Sequence, residues 1–136
     1  MLLLLLAACG PDLPDDWKGA ERIEDFTQKE CDGNPYEDYT STVDAAAEGS
    51  HVNVVYGDAP FRCAQEVEGF WKQENQLLSI LVQPVDMNPS EVAGCDCLYE
   101  IDMSVVSDAT SVDLWRRWDN LNEPNPAERV GIVEVE

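Results

Sequence analysis

From His51 onward apolar residues recur at every second position, and that period predicts most of the fold. Val52, Val54 and Tyr56 fall on one side of a segment that starts at His51. Gly57-Asp58-Ala59-Pro60 then reads as a turn. Phe61, Cys63 and Val67 open a second segment that continues to Trp71, and Glu74-Asn75 reads as a hairpin turn. Residues 77–85 are apolar on both faces, which predicts a central strand. Residues 95–105 alternate most cleanly. Cys95, Cys97, Tyr99, Ile101, Met103 and Val105 share one face, and Asp96, Glu100, Asp102 and Ser104 share the other. On a strand this pattern fixes the register, because a slip of one residue would bury three carboxylates. Residues 110–118 and 128–136 predict two more strands, joined by the Asn/Pro-rich loop 120–126; a helix over residues 107–119 is the alternative, and the closely spaced turns and the final Val-Gly-Ile-Val-Glu-Val favour the hairpin.

Ahead of His51 the pattern weakens. Residues 9–16 carry Pro11, Asp12, Pro14, Asp15 and Asp16 and predict a solvated tether that buries nothing. Residues 17–29 place Trp17, Ala20, Ile23 and Phe26 at loose helical spacing and fit a short helix or a strand. Cys31-Asp32-Gly33-Asn34-Pro35 is a turn, and residues 36–49 fix no element. Six or so short strands without alternating helices predict an all-β, immunoglobulin-like antiparallel sandwich over residues 17–136, best defined over about 43–136.

Charge then narrows the function. The chain has 136 residues, with 28 Asp+Glu against 8 Lys+Arg and a formal charge of −20. Nucleic-acid binding is excluded, because phosphate contacts need clustered cations and only Arg116-Arg117 are adjacent. A polybasic patch for anionic lipid is excluded on the same ground. At 44% hydrophobic residues the chain is still too apolar for disorder. His51 is the sole histidine, and no G-x-S-x-G, H-E-x-x-H or P-loop motif occurs, so the expectation is a protein without catalysis. Acidic loops can hold calcium, which takes several oxygen ligands. Asp32, Asn34 and Asp38 are the calcium candidates, with Asp119, Asn120, Asn122 and Glu123 in a second oxygen-rich loop. Trp118, beside Arg116-Arg117, is a candidate contact for a glycan or protein partner.

Leu2 to Ala8 is a seven-residue apolar run, far short of the roughly 20 residues of a transmembrane helix. It has the length of a signal-peptide core and ends in Leu6-Ala7-Ala8-Cys9. This resembles the lipobox of bacterial lipoproteins. The resemblance implies a signal peptide over residues 1–8, cleavage before Cys9, a diacylglyceryl group on its sulfur and an acylated N-terminus. The partner is then the membrane, reached through the lipid anchor. Gly10, rather than Asp, implies the outer membrane in a Gram-negative host. One departure from the pattern is the lack of Lys or Arg before the leucines, which fits a true start upstream of Met1.

Cys31, Cys63, Cys95 and Cys97 remain, and an even number in an exported chain predicts two disulfides. Cys95 and Cys97 are a poor pair, since residues two apart on a strand are about 6.5–7 Å apart. Each is therefore expected to reach Cys31 or Cys63, in either order, closing loops worth roughly 3–5 kcal/mol each. Four-thiolate zinc sites use paired C-x2-C knuckles, which are missing here. Phe61-Arg62-Cys63 followed by Cys95-Asp96-Cys97-Leu98-Tyr99 is similar to a loose group of cysteine-bearing bacterial envelope lipoproteins. The similarity covers under half the chain and implies location and fold. The expectation is a lipid-anchored envelope domain with a structural or binding role. The alternative is a calcium-dependent or carbohydrate-binding domain.

Overall fold

The computed structural model describes residues 10–136 and shows two β-sheets packed face to face. After a 3-10 turn at Asp15–Trp17, the chain forms β1 (Glu21–Arg22), β2 (Asp25–Gln28), β3 (Thr42–Glu48), β4 (His51–Arg62) and β5 (Val67–Glu74). It continues with β6 (Leu77–Pro84), β7 (Asp96–Val106), β8 (Ser111–Arg116) and β9 (Glu128–Glu134). One sheet has the order β1-β5-β6-β8-β9 and the other β2-β7-β4-β3. Residues 17–29 thus become a turn and two short strands, and residues 36–49 supply β3.

The sandwich is not wholly antiparallel. β6 and β8 run parallel, from Leu77 beside Ser111 to Val82 beside Arg116. The intervening β7 belongs to the opposite sheet, so the chain crosses the core and returns in the same direction. Residues 57–60 are also not a turn. β4 runs through them, with a shift of its register against β7 between Tyr56 and Ala59. The extra residues form a bulge, with Asp58 at a φ of 50°. Gly57 faces the Thr42 side chain, which leaves no room there for a Cβ. The real turn comes later, between Arg62 and Val67.

The inner faces make one core. From β4 it takes Val52, Val54, Tyr56, Ala59 and Phe61, and from β7 Tyr99, Ile101, Met103 and Val105. Leu78, Ile80, Val82, Val112 and Leu114 oppose them. The alternation of β7 is as expected: Ile101 is fully buried and Glu100 is exposed. The edge between β3 and the end of β9 is closed by backbone. Glu136 donates to the Ala45 carbonyl at 3.0 Å and accepts from the Ala47 N–H at 2.9 Å. At the other edge the Ile23 N–H donates to the Gly69 carbonyl at 2.8 Å.

The tether reading fails from Asp12 onward. Leu13 and Trp17 are buried and pack on Phe70 and Leu81, on the outer face of the five-stranded sheet. The Asp12 carbonyl accepts from Gln83 Nε2 at 2.8 Å and Arg117 Nη1 at 2.9 Å, and its carboxylate accepts from Asn120 Nδ2 at 2.8 Å. Leu13 and Trp17 seat the segment, because β6 presents Leu81 outward beneath them.

Candidate functional site

The chemistry-bearing residues gather at the end of the sandwich where β4, β6 and β8 finish and β5 and β7 begin. Cys31 bonds to Cys97 and Cys63 to Cys95, each pair with Cα atoms 5.6 Å apart. The ladder sets this pairing. Phe61 lies opposite Cys97, and the Cys63 N–H donates to the Cys95 carbonyl at 2.9 Å, so Cys63 faces Cys95. Cys97 then reaches out to Cys31, whose segment runs alongside β7 through an Asp32 N–H donating to the Leu98 carbonyl at 2.9 Å. The two bridges touch: Cys63 Sγ lies 3.2 Å from Cys97 Sγ. Cys97 is 8% exposed, whereas Cys31 and Cys95 are at the surface. Two disulfides belong with an oxidising, exported compartment. Cys9 lies outside the described residues.

Beside the bridges is a cleft of about 290 Å³, lined among others by Cys63, Gln65, Val85, Pro89 and Val92. Val85 and Val92 are among the exposed large apolar residues. The floor of this end is an ion pair the sequence did not disclose. Arg62 Nε donates to Asp119 Oδ2 at 2.7 Å and its Nη2 to Oδ1 at 3.2 Å. Gln65 Nε2 and the Leu121 N–H complete the carboxylate, at 3.0 and 3.1 Å. Asp119 is fully buried. Burial pushes its carboxyl up, but the hydrogen bonds from Arg62 and Gln65, with the Arg62 charge and the Leu121 N–H, outweigh this and hold it below the ordinary value. Both oxygens of Asp119 are therefore engaged by the protein. Its partner Arg62 carried no signal in the sequence beyond standing next to Cys63.

Arg116 turns inward at the same end. Its guanidinium stacks on Phe61 at 4.8 Å and on Trp118 at 4.2 Å, and its Nη2 donates to the Pro60 carbonyl. Two aromatic faces suit a cation that has left water. Burial lowers its pKa, although Tyr56 and Glu128 favour the charge. The Tyr56 hydroxyl beside it is buried, and burial pushes that group up to about 12 although the Arg116 charge opposes the rise. Trp118 is thus half-buried, its ring packed against Arg116 and Phe61.

The remaining candidates are separate from this end or engaged locally. The Asn34 side chain accepts from the Tyr36 N–H at 2.9 Å, closing its own turn. Asp32, Asn34 and Asp38 are all exposed, and among the described residues no three His, Cys, Asp or Glu side chains come together as a metal site. His51 is exposed at the start of β4, at the opposite end of that strand from Arg62, with the Ser50 hydroxyl 3.4 Å from its Nδ1. Comparison with protein-family models, with curated proteins and with solved structures finds no match to the chain.

Proposed function

We propose that this protein is a lipid-anchored lipoprotein of the bacterial cell envelope, acting without catalysis as a structural or binding domain. The observation that carries the reading is the division of its five cysteines. Cys9 follows Leu6-Ala7-Ala8, and the other four are used in two bridges. An anchored, exported chain needs one free sulfur for lipid and none left over.

The docked segment gives the reading a geometry. Asp12 is held on the ends of β6 and β8. Three residue steps separate it from Cys9, a span of at most roughly 11 Å for extended chain. A lipid on Cys9 would keep the cysteine end of the sandwich next to the bilayer. The turns at Gly49-Ser50 and Asn75-Gln76 would then point outward, and the membrane-side loops would be screened from large partners. A partner would meet the far turns or the outer faces of the sheets.

Fractionation of cells carrying the native chain and the Cys9→Ser variant tests this. Native protein should partition with membranes and into the detergent phase, and the variant should become soluble. A variant that stays with the membrane would contradict the anchor.

A further inference from the structure

The two bridges form one continuous line of sulfur, and we infer that they are a thiol–disulfide exchange site that reacts with a small-molecule dithiol, the class of reductant that still reaches this end beside a membrane. The line runs from Cys95, exposed, through Cys63, half-buried, and Cys97, buried, to Cys31, exposed. The contact that joins the bridges is the 3.2 Å between Cys63 Sγ and Cys97 Sγ. At that distance either sulfur, once it becomes a thiolate, is within reach of the neighbouring bridge.

The exchange begins at Cys95. One thiolate of the dithiol attacks Cys95 Sγ, the Cys63–Cys95 bond breaks, and its electron pair leaves on Cys63. The reductant is now joined to Cys95 as a mixed disulfide. The Cys63 thiolate, half-buried and next to Cys97, attacks Cys97 Sγ. The Cys63–Cys97 bond forms, the Cys31–Cys97 bond breaks, and Cys31 leaves as a thiolate. The second thiol of the reductant then displaces Cys95 and closes its own disulfide. The Cys31 and Cys95 thiolates take up the two protons that the dithiol lost. Two electrons and two protons have moved, and one bridge, Cys63–Cys97, remains.

Desolvation favours this direction. A thiolate is better hydrated at the surface positions 31 and 95 than at 63 or 97, so exchange moves the reduced sulfurs into water. The product also unties Cys31 from β7. Gly33 packs on the otherwise buried Leu98, and the backbone bonds of Lys29 and Asp32 to β7 would be left to hold that segment.

The test uses the oxidised chain, one molar equivalent of dithiothreitol, rapid thiol alkylation and mass mapping of unreduced peptides. The main single-bridge species should carry Cys63–Cys97, with label on Cys31 and Cys95. A main species retaining Cys31–Cys97 with label on Cys63 and Cys95 would overturn the exchange, as would one retaining Cys63–Cys95. Fully reduced chains beside untouched ones, with no single-bridge form, would overturn it too. The Cys95→Ala variant gives an independent reading. With Cys63 unpaired from the start, it should form Cys63–Cys97 and leave Cys31 free. A stable Cys31–Cys97 bridge with free Cys63 would contradict the inference.

Discussion

The outer faces of the two sheets are built from the same strand geometry and meet opposite fates. On the five-stranded sheet Phe70, Leu81 and Trp115 point outward beside Gln83 and Arg117, and residues 12–20 lie across them. On the four-stranded sheet Asp25, Thr27, Asp102, Ser104 and Asn53 point outward, and among the described residues nothing is laid over them. There the Ser104 hydroxyl donates to Asn53 Oδ1 at 2.8 Å, and Asn53 Nδ2 donates to Glu48 Oε2 at 2.6 Å. One face is dry because the chain brings its own cover. The other stays wet because most of its outward residues are polar.

The contrast extends to ion pairs. Arg62–Asp119 is buried and carries additional hydrogen bonds, whereas Lys29 meets Glu100 and Asp102 in solvent. The largest expected effect is therefore at Asp119. Asp119→Ala should cost about 3–5 kcal/mol, since it strands a half-buried guanidinium and empties a fully buried position. Glu100→Ala should change stability by less than about 0.5 kcal/mol. Urea unfolding with the bridges intact measures both. Equal losses would remove the distinction between the two pairs.

The covered face comes next. Leu81→Ala should cost about 2–5 kcal/mol, the same range as Ile101→Ala in the inner core. Asp102→Ala, on the bare face, should cost less than about 0.5 kcal/mol. A small loss at Leu81 would mean that residues 12–20 do not seal that face.

Acid sharpens the same comparison. The folded carboxyl of Asp119 titrates below its unfolded value, so its contribution is complete above that unfolded value, about 3.9. It disappears as pH falls through the folded value. Asp119→Asn should flatten that part of the stability–pH curve. A curve with the same acid limb in wild type and Asp119→Asn would contradict the assignment. Smallest of all, His51→Ala should leave stability within about 0.5 kcal/mol, because the ring is exposed at a strand end.

These faces also explain what the sequence could disclose. β7 was legible because one side of it is wet, so its polar and apolar positions separate cleanly. β6 was legible as a central strand because both of its sides are dry. What dries the outer side was not legible. Leu13 stands alone between Pro11-Asp12 and Pro14-Asp15-Asp16, and only its contact with Leu81 and Phe70 reveals its role. The turn expected at residues 57–60 failed for a related reason. Gly, Asp and Pro are local turn formers, but pairing with Tyr99 and Leu98 on β7 carries the strand through them as a bulge. The cysteine partners were narrowed to two orders, and strand register selected one. Arg62–Asp119 spans 57 positions, and no local pattern announces such a pair.

The most direct measurement compares the chain starting at Gly10 with one starting at Glu21, by urea unfolding at neutral pH with both disulfides intact. Loss of Leu13 and Trp17 from the outer face removes two buried side chains, each worth roughly 1.5–3 kcal/mol. The shorter chain should show a clearly lower midpoint and bind a hydrophobic dye through the uncovered Phe70 and Leu81. Coincident unfolding curves and no dye binding would show that residues 12–20 are a tether after all.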